Sequence, residues 1–191
     1  MKPGANWASP VPADISVPVA GLFYGSSTCY TRMAAEQIAA ALPDFRVEIH
    51  DIACTPLRIA NRYRFVILGI PTWDYGELQE DWERAWPDLT AVDWCGKVVA
   101  LYGLGDQEGY PEWFQDALGY LWKRITQLGA TTIGLWPAAG YRFTHSVGLT
   151  SDGQHFLGLA LDEASEFERS EARIRAWCRQ IAEEFAARDG M

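Results

Sequence analysis

The chain has 191 residues, 49% of them hydrophobic, and a formal net charge of −9. That length buries one substantial core, so a single compact domain is expected. Nine Trp and eight each of Tyr and Phe exclude general disorder, no apolar run approaches the roughly 20 residues that cross a bilayer, and the negative balance sets aside nucleic acid and anionic membranes in favour of a basic protein partner.

Residues 1–17 carry Pro3, Pro10 and Pro12 among small and polar residues without apolar periodicity, which predicts a disordered tail ahead of a domain spanning 18–188. The first apolar run, Val19 to Tyr24, reads as a strand. It empties into Gly25-Ser26-Ser27-Thr28-Cys29-Tyr30-Thr31 and a helix from about Tyr30 to Leu42, stopped by Pro43. A strand emptying into a hydroxyl-rich loop that opens a helix gathers free backbone N–H groups and the positive end of the helix dipole around one small volume. That volume suits a phosphate. Ser26, Ser27, Thr28 and Thr31 can each donate to phosphate oxygens, and with no Lys or Arg in the loop until Arg32 the anion would be held mainly by neutral dipoles. A plainer reading has Thr28 or Thr31 capping the helix and binding nothing. Neither the Walker nor the Rossmann glycine spacing is present.

Further along, Phe45 to Ile49 alternates as a short strand does, and a brief helix near 56–62 leads to Phe65-Val66-Ile67-Leu68-Gly69-Ile70, a continuous apolar run of the central parallel type. It empties into Pro71-Thr72-Trp73-Asp74-Tyr75-Gly76, and a helix is expected from Leu78 to Leu89. Lys97 to Tyr102 is another apolar strand, emptying into Gly103-Leu104-Gly105-Asp106-Gln107-Glu108-Gly109-Tyr110. A helix follows from Glu112 to about Gln127. Thr131 to Trp136 reads as a fifth strand, 137–154 as a Gly- and aromatic-rich excursion, Phe156 to Leu161 as a further apolar run, and Ser170 to Ala187 as the last helix.

This alternation predicts a parallel sheet with helices on both faces, and such sheets bind ligands at the carboxyl ends of their strands. The loops after the first, third and fourth strands share that edge. They offer a hydroxyl cradle, Trp73, and Tyr110 with glycines and Asp106. A planar aromatic ligand bearing a phosphate would use all three, with Trp73 and Tyr110 stacked on its two faces. The four cysteines and three histidines are scattered, without metal-ligand spacing, so free thiols and no metal site are expected. The N-terminus lacks a basic stretch followed by an apolar core, which makes the reducing cytoplasm the expected location.

These residues resemble a known family. Leu22 to Thr31, Gly69 to Trp82, Leu104 to Tyr110 and Gly158 to Glu163 are similar, in order, to the phosphate loop, the two flavin-ring loops and the segment after the insertion of a long-chain bacterial flavodoxin of the second type. The resemblance covers about residues 18 to 187. It implies an α/β fold with three layers (α/β/α) around a doubly wound five-stranded parallel sheet of order 2-1-3-4-5, its last strand interrupted by the long-chain insertion. It also implies one non-covalent FMN and a monomeric, low-potential one-electron carrier with no substrate reaction of its own. Electrons would pass from a reductase presenting a basic face to acceptor redox enzymes.

Carried over residue by residue, Ser26, Ser27, Thr28, Cys29, Tyr30 and Thr31 would form the phosphate site. Thr72, Trp73, Asp74, Tyr75 and Gly76 would form the first ring loop, and Leu104, Gly105, Asp106, Gln107 and Tyr110 the second. Trp73 would cover the inner flavin face and Tyr110 the outer, while the backbone of Leu104, Gly105 and Asp106 meets the pyrimidine edge. The Asp74-Tyr75 peptide would turn its carbonyl toward the proton gained at flavin N5. Three positions depart from the family pattern: Cys29 replaces a permissive Gly, Arg32 a frequent acid, and Ala164 an Asp near the ribityl chain.

The acidic run Asp74, Glu77, Glu80, Asp81, Glu83, Asp88 and Asp93 faces only Arg84; it would oppose charge gained by the flavin and steer a basic partner. An alternative on the same fold is an FMN-dependent quinone/NAD(P)H oxidoreductase. A phosphoacceptor domain and a low-molecular-weight phosphatase fit poorly, because the first strand ends in Gly25-Ser26, the third in Pro71-Thr72, and Ala35 stands six beyond Cys29.

Overall fold

The computed structural model describes residues 17–189; the predicted tail falls outside them except for Val17. In chain order the elements are β1 (Val19–Tyr24), α1 (Tyr30–Ala40), β2 (Arg46–Asp51), β3 (Phe65–Trp73), β4 (Glu77–Leu78), α2 (Glu80–Ala85), β5 (Val98–Leu104) and α3 (Asp116–Gln127). They continue with β6 (Thr131–Ile133), β7 (Trp136–Pro137), β8 (His155–Phe156), β9 (Leu159–Leu161) and α4 (Phe167–Asp189).

The sheet runs β2-β1-β3-β5-β6, and every pair along this path is parallel. This is the expected doubly wound order. Its strand count is seven rather than five, for two reasons. β4 adds an antiparallel pair to the tip of β3, and the fifth position is shared by two segments. β6 pairs with Val98 to Ala100, and β9 with Tyr102 to Leu104.

The apolar run of β3 is continuous because both of its faces are covered. Phe65 and Ile67 join Ala35, Ile38, Trp177 and Ile181 under α1 and α4, while Val66, Leu68 and Ile70 meet Trp82, Leu118 and Leu121 on the other side. Each such side chain, fully buried, contributes roughly 1.5–3 kcal/mol over an exposed one.

Several boundaries differ from the sequence reading. The predicted fifth strand through Trp136 stops at Ile133, because Gly134 takes φ 81° and turns the chain out. Trp136 and Pro137 instead pair antiparallel with Phe156 and His155 in a separate two-stranded sheet. The helix expected over 78–89 is α2 followed by a 3-10 stretch, Trp86–Ala91, since Pro87 has no N–H to continue an α-helical ladder. The helix expected from Glu112 begins at Asp116, after Gln115 at φ 66°. The turn near 56–62 is 3-10, Leu57–Arg62, and α4 starts earlier than predicted, at Phe167.

The excursion has a small core of its own, Phe114, Phe156 and Ala160 with Tyr141, Phe143 and Leu149 packed against them. Tyr141 fastens it to the sheet: its hydroxyl donates to the Ala160 carbonyl at 2.6 Å and accepts from Trp136 Nε1 at 2.9 Å. The Arg173 guanidinium lies 4.2 Å over the Tyr141 ring and pairs with Glu166 at 2.5 Å.

Candidate cofactor site

At the carboxyl edge of the sheet, between the ends of β1, β3 and β5, lies a cavity of about 470 Å³, within the usual range for small-molecule sites. Thr28, Tyr30 and Thr31 line one end of it. The helix cap there is Cys29, at φ −71°, ψ −15°, and no side chain bonds the cap. Neither Thr28 nor Thr31 is therefore the cap. Cys29 sits without strain where the family pattern has Gly. Its thiol is exposed, as are those of Cys54 and Cys95, whereas Cys178 is buried.

Thr31 is the informative residue of this loop. It is 1% exposed, it faces the cavity, and its Oγ1 has no hydrogen-bond partner. A buried hydroxyl without a partner costs on the order of 1–3 kcal/mol, and a phosphate oxygen here would relieve that cost. Among the described residues no Lys or Arg lines the cavity; Arg32 pairs with Glu36 at 2.9 Å, and the first turn of α1 has no acid to offset its dipole. Ser26 and Ser27 do not line the cavity. The Ser26 hydroxyl donates to the Thr28 carbonyl, and the Ser27 hydroxyl accepts from Gln79 Nε2.

The first ring loop contributes Pro71, Thr72, Trp73 and Asp74 to the wall. The Thr72 hydroxyl accepts the Ala117 N–H at 3.2 Å, so the loop rests on the first turn of α3. Asp74 has φ 41° and Gly76 φ 89°; these turn the chain back into β4, where Glu77 pairs with Trp73. Tyr75 and Gly76 stand outside the wall. Tyr75 is 68% exposed and meets the Trp113 and Tyr110 rings edge-on at 5.0 and 6.1 Å.

From the second loop come Leu104, Gly105, Asp106 and Tyr110. Asp106 shapes the turn by accepting the N–H groups of Glu108 and Gly109. Gln107 turns away from the cavity. Its N–H donates to Asp162, its amide to Ser165, and its carbonyl oxygen accepts from Arg142 at 2.5 Å. It binds the loop to the insertion.

Trp113, Phe114, Glu163 and Ala164 also line the cavity; Trp113 and Phe114 were missed in the sequence, whereas Glu163 ends the resembling segment and Ala164 is the position that departs from the family's Asp. Trp113 follows Tyr110 by three residues in a turn, its N–H donating to the Tyr110 carbonyl, a spacing without helical or strand periodicity to single it out. Burial pushes the Glu163 carboxyl above the usual range, opposed by the hydrogen bond it accepts from Ser170. Among the described residues no cluster of His, Cys, Asp and Glu could hold a metal, and no helix is long and apolar enough to cross a membrane.

The described architecture is that of a doubly wound α/β protein whose ligand cavity sits on the carboxyl edge of its sheet. The flavodoxin family profile matches residues 22–177. Flavodoxin 2 of Escherichia coli strain K12 is 51% identical over 166 residues, covering 87% of this chain and 96% of that protein. Flavodoxin 1 of the same strain is 45% identical, covering 87% and 94%. The crystal structure of Fusobacterium nucleatum flavodoxin bound to flavin mononucleotide superposes with a TM-score of 0.82 at 27% identity, over 87% of this chain and 98% of that one. The chain belongs to the flavodoxin family, and its similarity to flavodoxin 2 exceeds that to flavodoxin 1.

Proposed function

We propose that residues 18–188 bind one FMN non-covalently and act as a one-electron carrier between a reductase and acceptor redox enzymes. The carrying observation is the buried, unpartnered Thr31 hydroxyl in a loop without a free cation, at one end of a cavity that Trp73 and Tyr110 also line. The Fusobacterium relative, bound to flavin mononucleotide, supports the same ligand. FMN, when bound, supplies one-electron chemistry at its ring system.

The chain's own residues supply the rest. Thr28, Tyr30 and Thr31 hold the phosphate through hydroxyls and backbone N–H groups at the start of α1. Trp73 and Tyr110 cover the ring and exclude water. The Asp74-Tyr75 peptide stands at the rim, in a turn where Asp74 takes φ 41° and Gly76 takes φ 89° without a Cβ penalty. Asp74 and Glu77 are exposed beside the cavity. A carboxylate roughly 10 Å from a new negative charge, at an effective dielectric of about 40, opposes it by about 1 kcal/mol. The same charges steer a basic reductase, in a salt-dependent way. Asp81 belongs to the fold instead, paired with Arg84 and Gln79. The carrier is a cytoplasmic monomer without a substrate reaction of its own.

The test is a visible spectrum of the FMN-reconstituted protein during stepwise dithionite reduction. Equimolar FMN, a one-electron intermediate, and no steady turnover of NAD(P)H with a quinone are expected. A protein that takes up no FMN would overturn the proposal; steady quinone reduction would replace it with the oxidoreductase reading.

A further inference from the structure

One buried amide behind the second ring loop has no place in the binding scheme above. Gln115 is 0% exposed and takes φ 66° immediately before α3. Its Nε2 donates to the Leu161 carbonyl at 3.1 Å, the same carbonyl that accepts the Gly105 N–H at 3.1 Å. Its Oε1 has no hydrogen-bond partner. The opposite amide orientation would set oxygen against oxygen at Leu161, so the network decides which atom is left over.

Both features cost free energy. A non-glycine side chain at positive φ crowds its own backbone, and a buried acceptor without a donor keeps its desolvation cost. A glycine at 115 would carry neither. Residues that retain such costs concentrate at ligand sites, and the surroundings of Gln115 show which site. Its Oε1 stands 2.0 Å from where a Cβ on Gly103 would lie, while the Phe114 ring and the Gln115 nitrogen stand 2.9 and 3.4 Å from where one on Gly105 would lie. Leu104, between those glycines, lines the cofactor cavity with Gly105 and Phe114 and is level with Leu161 in the pairing of β5 and β9. The amide therefore spans the ends of both strands and presses on the backbone of the loop from behind the cavity wall.

We propose that Gln115 is a positioning residue for the ring end of the cofactor site: its amide holds the Leu161 carbonyl, and its bulk over Gly103 sets where the Leu104-Gly105-Asp106 backbone stands before a cofactor arrives. This inference rests on the FMN reading above. Gln115 touches no cofactor atom and takes part in no transfer. It acts by sparing the loop from being ordered at the moment of binding, an ordering that would weaken affinity. Its hydrogen bonds run to Leu161 and to Gly119 in α3, away from the Thr28 to Thr31 loop, so its effect is confined to the ring end.

The experiment compares the wild type with Gln115→Met. Each apoprotein is titrated with FMN and with riboflavin, which carries the same ring without the phosphate, and the visible circular dichroism of the bound flavin is recorded. Methionine is flexible and of similar size; it removes the Nε2 donor and the orphaned oxygen together, and the Leu161 carbonyl keeps Gly105. The variant apoprotein is therefore expected to melt close to the wild type. Both flavins are expected to bind about tenfold more weakly, with an altered dichroism of the bound ring.

Unchanged riboflavin affinity in Gln115→Met overturns the proposal, as does a weakening confined to FMN. If Gln115→Met does not fold, backbone amide exchange in the wild-type apoprotein decides. The Gly105 N–H is expected to be protected there, and exchange at the rate of an open chain overturns the proposal. A wild type that binds neither flavin overturns the FMN reading and this inference with it, and is read before any variant is compared.

Discussion

The side-chain amide of Gln79 donates to the hydroxyl of Ser27 at 3.0 Å, across 52 positions of sequence. The same side chain caps α2: its Oε1 accepts the N–H groups of Asp81 and Trp82, and its Nε2 also reaches Asp81 Oδ2 at 2.6 Å. One buried glutamine thus sets the start of a helix and the position of the phosphate loop together.

Gln79→Ala removes both functions. Loss of the cap is expected to cost about 0.5–2 kcal/mol, and the loosened loop to weaken FMN binding further. Ser27→Ala cuts only the bridge and is expected to affect FMN affinity more than apoprotein stability. Thermal melts of both apoproteins, with FMN titrations by fluorescence quenching, check the pair.

Thr31→Val gives effects of opposite sign. It replaces a buried hydroxyl that has no partner with a methyl of nearly equal size, so the apoprotein is expected to be as stable as the wild type or more stable. The FMN complex loses a hydrogen bond to a charged group, about 1.5–3 kcal/mol, or about a tenfold to hundredfold weaker affinity. An unchanged dissociation constant would remove Thr31 from the phosphate site.

Tyr141→Phe leaves the Ala160 carbonyl and the Trp136 indole N–H without their partner. Both bonds are partly buried, so each lost partner is expected to cost about 1 kcal/mol. Urea unfolding is expected to show a lower midpoint with an unchanged slope, because the packed surface is the same.

Acid should loosen the insertion through Glu166. Burial raises its affinity for protons, but hydrogen bonds from Arg173 and Gln107 and the charges of Arg173 and Arg169 outweigh that and hold the carboxyl below the ordinary range. A lowered folded value adds stability above the unfolded value of about 4.3, and that stability is lost as pH falls through the folded value. Glu166→Gln is therefore expected to melt lower than the wild type at neutral pH. The gap should close as pH drops below the carboxylate range.

The parallel spine was legible because β3 is buried on both faces, which a run such as Val66-Ile67-Leu68 records directly. The three ligand loops were legible for the same reason that they are loops, since each strand ends abruptly in glycines, hydroxyls or proline. The insertion was not. Trp136 has the apolar neighbours of a strand residue, and only its pairing with Phe156, beyond a long excursion, takes it out of the main sheet. Gln115 gives no local sign of φ 66°, because its buried amide is fixed by the Leu161 carbonyl, 46 positions away. Trp113 and Gln79 were missed on similar grounds: their partners are set by tertiary contact.

The divided fifth position of the sheet bears on the order of assembly. β6 follows α3 in a short crossover and meets Val98 to Ala100 directly. β9 meets Tyr102 to Leu104 only after the whole excursion has closed, and closing a longer loop costs more chain entropy. On loop-closure entropy the half of the edge that borders the cofactor cavity is expected to pair last. The Gly105 N–H, which donates to the Leu161 carbonyl at 3.1 Å, ties the second ring loop to that late strand. Nascent chains would acquire a folded centre before they acquire a competent cofactor pocket.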